Sequence, residues 1–128
     1  MIPEVTPVPR PEWSPVPHEG CRGVESKALL RLEYLGVAML RFAPDGTIHE
    51  HPAPFPIDVV CLEGAGMTSL NGEAAPIRAG ERVRWPADVA HRLWTEESAM
   101  VTLMVEHVGG ASADLPSPTE LVDRPQRT

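Results

Sequence analysis

The sequence predicts an all-β chain: a small antiparallel sandwich, barrel or jelly roll. Three observations predict it. Short segments, mostly rich in Val, Leu, Met and aromatic residues, recur at spacings of roughly 8–12 residues, the rhythm of antiparallel sheet proteins. Turn residues separate them at Asp45-Gly46, Asn71-Gly72 and Ala79-Gly80, and Asn-Gly is the strongest of these hairpin signals. No stretch of the central region sustains a 3.6-residue apolar period between helix caps.

The elements follow in chain order. Residues 1–17 carry Pro3, Pro7, Pro9, Pro11, Pro15 and Pro17, which forbids helix and favours an extended arm, free or laid along a sheet edge. Residues 18–108 form the folded unit. Its predicted strands are LLRLEYLG, VAMLRFA, PIDVVCLEG, GMTSLNG, ERVRWP, HRLWT and MVTLMVEH. Residues 109–128, GGASADLPSPTELVDRPQRT, are small and polar with three further prolines and are expected to be a loose tail.

Composition excludes several classes. The chain of 128 residues fits one ordinary domain with a real core. A net charge of −7 without clustered Lys or Arg argues against a nucleic-acid partner. No apolar run approaches the roughly 20 residues that span a bilayer, so no membrane role is expected. The N-terminus lacks an apolar signal core, and Cys21 and Cys61 lie far apart without metal-finger spacing. Both are expected to be reduced thiols of a cytoplasmic protein.

The stretch GTIHEHPAPFPIDVVCLEG, residues 46–64, carries His49 and His51 two apart. Further on come Asn71-Gly72-Glu73, then Gly80, Pro86 after five intervening residues, and His91 five positions after that. In this order, with Leu62-Glu63-Gly64, the pattern resembles the cupin superfamily over about residues 36–107. GVESKALL at 23–30 also looks like the lead-in strand of some small cupins. The resemblance implies a cupin-type jelly roll, a double-stranded β-helix barrel. It departs at Asp88, where the family usually has Gly, and at Thr95, where it often has Asn.

The first metal motif of the family is degenerate here. Counting back from Leu62-Glu63-Gly64 without gaps puts the family's first His on His51, its second on Ala53 and its Glu on Ile57. Keeping His49 and His51 as the pair requires an insertion before Ile57. Either way the carboxylate is lost, because Ile57 binds no metal and Asp58 faces the other side of a strand. Residues 49, 51 and 53 share one strand face, so His49, His51 and His91 remain a candidate three-imidazole site. Nitrogen donors at about 2.0–2.1 Å suit a divalent transition metal such as Zn, Fe, Ni or Cu. The alternative is that His51 and His91 line an apolar pocket without metal.

Four further residues are candidates for the pocket wall. Ile57 and Cys61 are four apart and share a face, Trp94 flanks the His91 block, and Arg41 sits in an apolar strand where it could meet a ligand carboxylate. Of Glu106 and His107, one faces inward if the last strand is regular. Two functional readings stand. One is a small-molecule-binding cupin, the other a metal-dependent dioxygenase, isomerase or lyase acting on a small oxygenated, chelating substrate. The resemblance also implies a homodimer, with the proline-rich arm covering a sheet edge.

Overall fold

The computed structural model describes residues 1–109. The strands are β1 (Arg10–Pro15), β2 (Arg22–Arg31), β3 (Gly36–Thr47), β4 (Ile57–Leu70), β5 (Glu73–Arg78), β6 (Arg82–Trp85), β7 (His91–Trp94) and β8 (Met100–Glu106). Every pairing is antiparallel. β3 pairs with β8, β8 with β4, β4 with β7, and β7 returns to β3, so the sheet closes on itself. β1 and β2 extend one wall beyond β3, and β5 and β6 flank β4. Closure removes most free edges, which an open sheet of this length would expose.

Alternation along the strands selects the interior. On β3, Leu40 and Phe42 are buried while Arg41 is exposed. On β4, Ile57, Val59 and Cys61 are buried together. Trp85 and Leu93 close the core from β6 and β7. At roughly 25 cal/mol per Å² of apolar surface, fully burying one such side chain contributes about 1.5–3 kcal/mol.

β4 merges two of the predicted strands, PIDVVCLEG and GMTSLNG. It bends where they meet, and its two halves pair with different neighbours: Ile57–Val60 with β6, and Ala65–Leu70 with β5. The bend needs Gly64. Its φ is +76°, and a Cβ there would lie 1.9 Å from the Ala99 carbonyl oxygen. A register shift between Cys61 and Glu63 precedes it, the signature of a bulge.

Other local expectations resolve as follows. Asn71 and Gly72 have φ of +48° and +83°, the two-residue turn that joins β4 to β5 as expected. Asp45-Gly46 is a kink within β3 rather than a hairpin turn, because Thr95 Oγ1 accepts the Gly46 N–H at 2.8 Å and pins the chain there. The segment LLRLEYLG is not one strand. β2 ends at Arg31, and Leu32 N–H donates to the Leu35 carbonyl across a turn. Asp88 has a φ of +62°, a left-handed conformation that glycine adopts freely and Asp tolerates better than most residues.

The proline-rich arm is in part a strand. Residues 1–9 are exposed, but Arg10–Pro15 pairs with β2 as an edge strand, and Trp13 receives Lys27 and Arg41 over its ring. The predicted tail, 109–128, lies outside the described residues apart from Gly109.

Candidate functional site

One end of the barrel opens on a cavity of about 360 Å³. Its apolar walls come from β2, β3 and β8, with Ala28, Val37, Ala38, Leu40 and Met104 lining it and Ile48 beside them. Its polar groups are His18, Cys21, His49, His51 and Glu106, with Arg10 and Arg31 at the wall. Arg10 is engaged, its Nη2 donating to Ser26 Oγ at 2.6 Å.

The histidines form a column. His91 lies flat on Trp85 with centroids 4.0 Å apart and planes 8° from parallel. His51 meets His91 edge-on at 4.7 Å, and His49 stacks on His51 at 4.1 Å and 15°. His18, from the loop after β1, tilts over His49 at 5.5 Å. Backbone pairing sets the base of the column: His51 and His91 exchange both N–H···O bonds across an isolated antiparallel bridge. Directly opposed residues present their side chains on one face, which explains why two histidines 40 apart in sequence meet.

Hydrogen bonding distinguishes the rings. His51 Nδ1 lies 2.8 Å from the His49 carbonyl oxygen, which can only accept, so Nδ1 carries the proton and a neutral ring leaves Nε2 bare. His49 Nδ1 faces Cys21 Sγ at 3.2 Å, and the His49 N–H donates to the same sulfur at 3.3 Å. His91 is 1% exposed, and neither ring nitrogen makes a well-formed hydrogen bond, although the Val89 backbone is near enough to raise its pKa in part. Burial, with His51 adding to it, depresses its pKa to about 4, so it is neutral near pH 7. Burial, then His51 and His18, also lower that of His49.

The predicted three-imidazole centre is not assembled in this arrangement. Ring nitrogens bind along lone pairs in the ring plane, and two nearly parallel rings 4.1 Å apart cannot both direct lone pairs at one ion. Among the described residues no three His, Cys, Asp or Glu side chains are grouped to hold a metal. The orphaned nitrogens of His91 and the bare Nε2 of His51 are metal-type donors, but a two-nitrogen set falls short of a complete centre. His49 instead pairs with Cys21, a contact between residues 28 apart that strand patterns could not reveal.

The pocket candidates separate in the same way. Arg41 is a correction: alternation turns it to the outer face, where it bonds Glu25 at 2.9 Å and stacks on Trp13. Trp94 is another, because the pairing of β7 with β3 and β4 turns it outward under Arg92, where it lines an open groove rather than the cavity. Ile57 and Cys61 face inward as expected but lie in the packed core and not on the cavity wall. Cys61 is fully buried, burial raises its pKa, and its thiol donates to the carbonyls of Glu63 and Gly64.

Of the last pair, Glu106 faces the cavity and His107 the opposite face of the sheet, where it is buried against Asp58. There His107 Nε2 and two arginines surround Asp58, which does point away from the interior. Burial raises the Glu106 pKa, against the pull of Arg31 and His51.

A closed antiparallel barrel with a cavity at one end and histidines along its wall is the architecture of the cupin jelly roll. Comparison with solved structures agrees. The chain is similar to the polyketide cyclase RemF from Streptomyces resistomycificus, with a TM-score of 0.72 at 17% identity over 85% of this chain and 81% of that one. It is similar to a cupin-2 domain from Rhodospirillum rubrum, with a TM-score of 0.69 at 16% identity over 95% and 87%. An RmlC-like cupin from Shewanella frigidimarina matches with a TM-score of 0.64 at 15% identity over 69% and 78%. No family profile and no curated protein sequence matches the chain. The chain therefore has the jelly-roll barrel fold of these cupin structures. No helix among the described residues is long and apolar enough to cross a membrane.

Proposed function

We propose that the protein binds a small molecule in the cavity bounded by β2, β3 and β8. One observation carries this reading: a cavity of about 360 Å³ with apolar walls and a few polar side chains, His51 and Glu106 among them. Small-ligand sites have this size and this mixture, with apolar walls supplying affinity and sparse polar groups supplying orientation. The test is a fragment screen by thermal shift on the wild type and on Ala38→Trp, which fills the cavity from β3. Fragments that stabilise the wild type and fail on the variant support the reading. Equal shifts on both proteins, or none on the wild type, reject it.

A second reading, a metal-dependent enzyme acting on a small oxygenated substrate, is favoured by His91. A buried imidazole with no well-formed hydrogen bond at either nitrogen forgoes stabilisation of about 1–3 kcal/mol, a cost a ligand would relieve. His51 and His91 are the residues that would hold a divalent transition ion, which would polarise a substrate oxygen. The measurement is metal content after purification without chelator. Near-stoichiometric Fe, Zn, Ni or Cu, lost in His91→Ala, favours this reading. No metal after incubation with each ion and desalting rejects it. A homodimer belongs to both readings, supported by exposed Leu30, Leu32 and Tyr34 around the β2–β3 turn.

A further inference from the structure

We propose that Arg92 and Ser69 form an oxyanion-binding site, for a carboxylate or phosphate group, in the groove on the outer face of β4 and β7. The site lies outside the cavity described above, and the inference does not depend on what that cavity binds.

Strand register builds the floor of the groove. Ser69 on β4 opposes both Arg92 on β7 and Ala74 on β5, so the three stand in one row across the sheet. Directly opposed residues share a face with Cβ atoms about 4.5–5.5 Å apart, which sets the Ser69 hydroxyl beside the Arg92 stem. All three line an open groove of about 580 Å³. Ala74 and Gly72 leave it unfilled, and a Cβ added at Gly72 would meet nothing within 4 Å.

Arg92 is held in place without a counter-charge. Its Nε donates to Thr47 Oγ1 at 3.0 Å, and that hydroxyl donates in turn to the Ile48 carbonyl at 2.8 Å. Its guanidinium lies over Trp94 at 4.3 Å, two residues on along the same strand face. These contacts use Nε and the flat face of the group. Nη1 and Nη2 make no hydrogen bond or ion pair with any described residue. A half-buried guanidinium is ordinarily paired, yet this one stands unpaired in a chain of net charge −7.

Ser69 gives an independent indication. It is 5% exposed and lines the groove, and its hydroxyl has no hydrogen-bond partner among the described residues. Buried hydroxyls are nearly always hydrogen-bonded. Two N–H donors in a fixed fork, with a hydroxyl donor beside them, match an oxyanion. The other charged groups around the groove are Arg22, tied to Asp45 at 3.3 Å, and Glu50 at the exposed rim. Glu50 forms no ion pair with Arg92, so the fork stays available.

The test is an NMR titration of the nitrogen-15-labelled full chain near pH 7.5, following the Trp94 indole N–H. The probes are sodium acetate and inorganic phosphate, at an ionic strength held constant with sodium chloride. His49, which also lines the groove, is neutral there, because burial and then its histidine neighbours lower its pKa. The expected result is saturation by at least one probe at millimolar concentration. Arg92→Lys keeps the charge but not the fork and should weaken binding about tenfold. Ser69→Ala should weaken it about threefold. Arg22→Gln removes a charge and leaves the fork, so it should cost less than Arg92→Lys. Tighter acetate assigns the site to a carboxylate, and tighter phosphate to a phosphoryl group. The proposal is overturned if neither probe saturates, if Arg92→Lys binds like wild type, or if Arg22→Gln loses as much. Should Arg92→Lys fail to fold, Ser69→Ala decides, and unchanged affinity in it overturns the site.

Discussion

His91 and Trp85 stack face to face, 4.0 Å between ring centroids, at the buried end of a histidine column that reaches the cavity. The stack fixes the His91 ring mainly by packing, since neither ring nitrogen makes a well-formed hydrogen bond. An imidazole held in this way keeps its position without the protein having to spend a polar partner on it.

The column makes stability depend on pH. In the unfolded chain His91 takes up a proton near pH 6.5, whereas the buried ring resists until about 4. Below pH 6.5 the unfolded state therefore binds more protons, and stability falls until the native ring also titrates. The full loss is about 3 kcal/mol by the linkage relation. His91→Phe keeps the stack on Trp85 and removes the titration. Urea denaturation at pH 7 and pH 5 should show a smaller drop for the variant, and equal drops would refute this account.

Asp58 governs a lower pH window. Burial pushes its pKa up, but hydrogen bonds from Arg84, His107 and Arg82 overcome this and hold it at about 2. Its stabilising contribution is complete above 3.8, the unfolded value, and is lost as pH falls from there towards 2. Asp58→Asn is expected to cost about 3 kcal/mol at pH 7, the low end for a buried pair. The low end applies because the Arg82 and Arg84 side chains are each 29% exposed and can rehydrate. The variant should also flatten the acid limb of a melting-temperature profile. A variant as stable as wild type at pH 7 would show that the cluster contributes nothing.

The two thiols should react very differently. Cys21 is half-buried on the cavity wall, whereas Cys61 is 0% exposed with its pKa raised by burial. A thiolate is the reacting species, and burial both shields Cys61 and raises its pKa, so Cys21 is the more accessible target. Titration with a chromogenic disulfide should release one equivalent from the native protein and a second only in denaturant. Cys21→Ser should abolish the first equivalent. Two equivalents from native protein would place Cys61 within reach of solvent.

The barrel was legible because its signals are local. Alternation along VAMLRFA and PIDVVCLEG, and the turn at Asn71-Gly72, report directly on which residues face inward and where the chain reverses. The same alternation, followed strictly from Leu40 and Phe42, would have placed Arg41 outside. At the end of β8 it could say only that one of Glu106 and His107 faces inward. The site was less legible, because its contacts join residues far apart. Cys21 meets His49 across 28 positions, and Glu106 stands beside Ile57 through strand register alone.

The sequence by itself determined the fold class, the identity of the histidines and the absence of a carboxylate at position 57, since each is a matter of residue type and local period. Only the tertiary structure decided what those residues do together. It stacks His49 on His51, which keeps their lone pairs from a common point, and it brings a carboxylate beside Ile57 from the adjacent strand. Ring orientation and cross-strand neighbours arise from closure of the barrel, a constraint that no single segment contains.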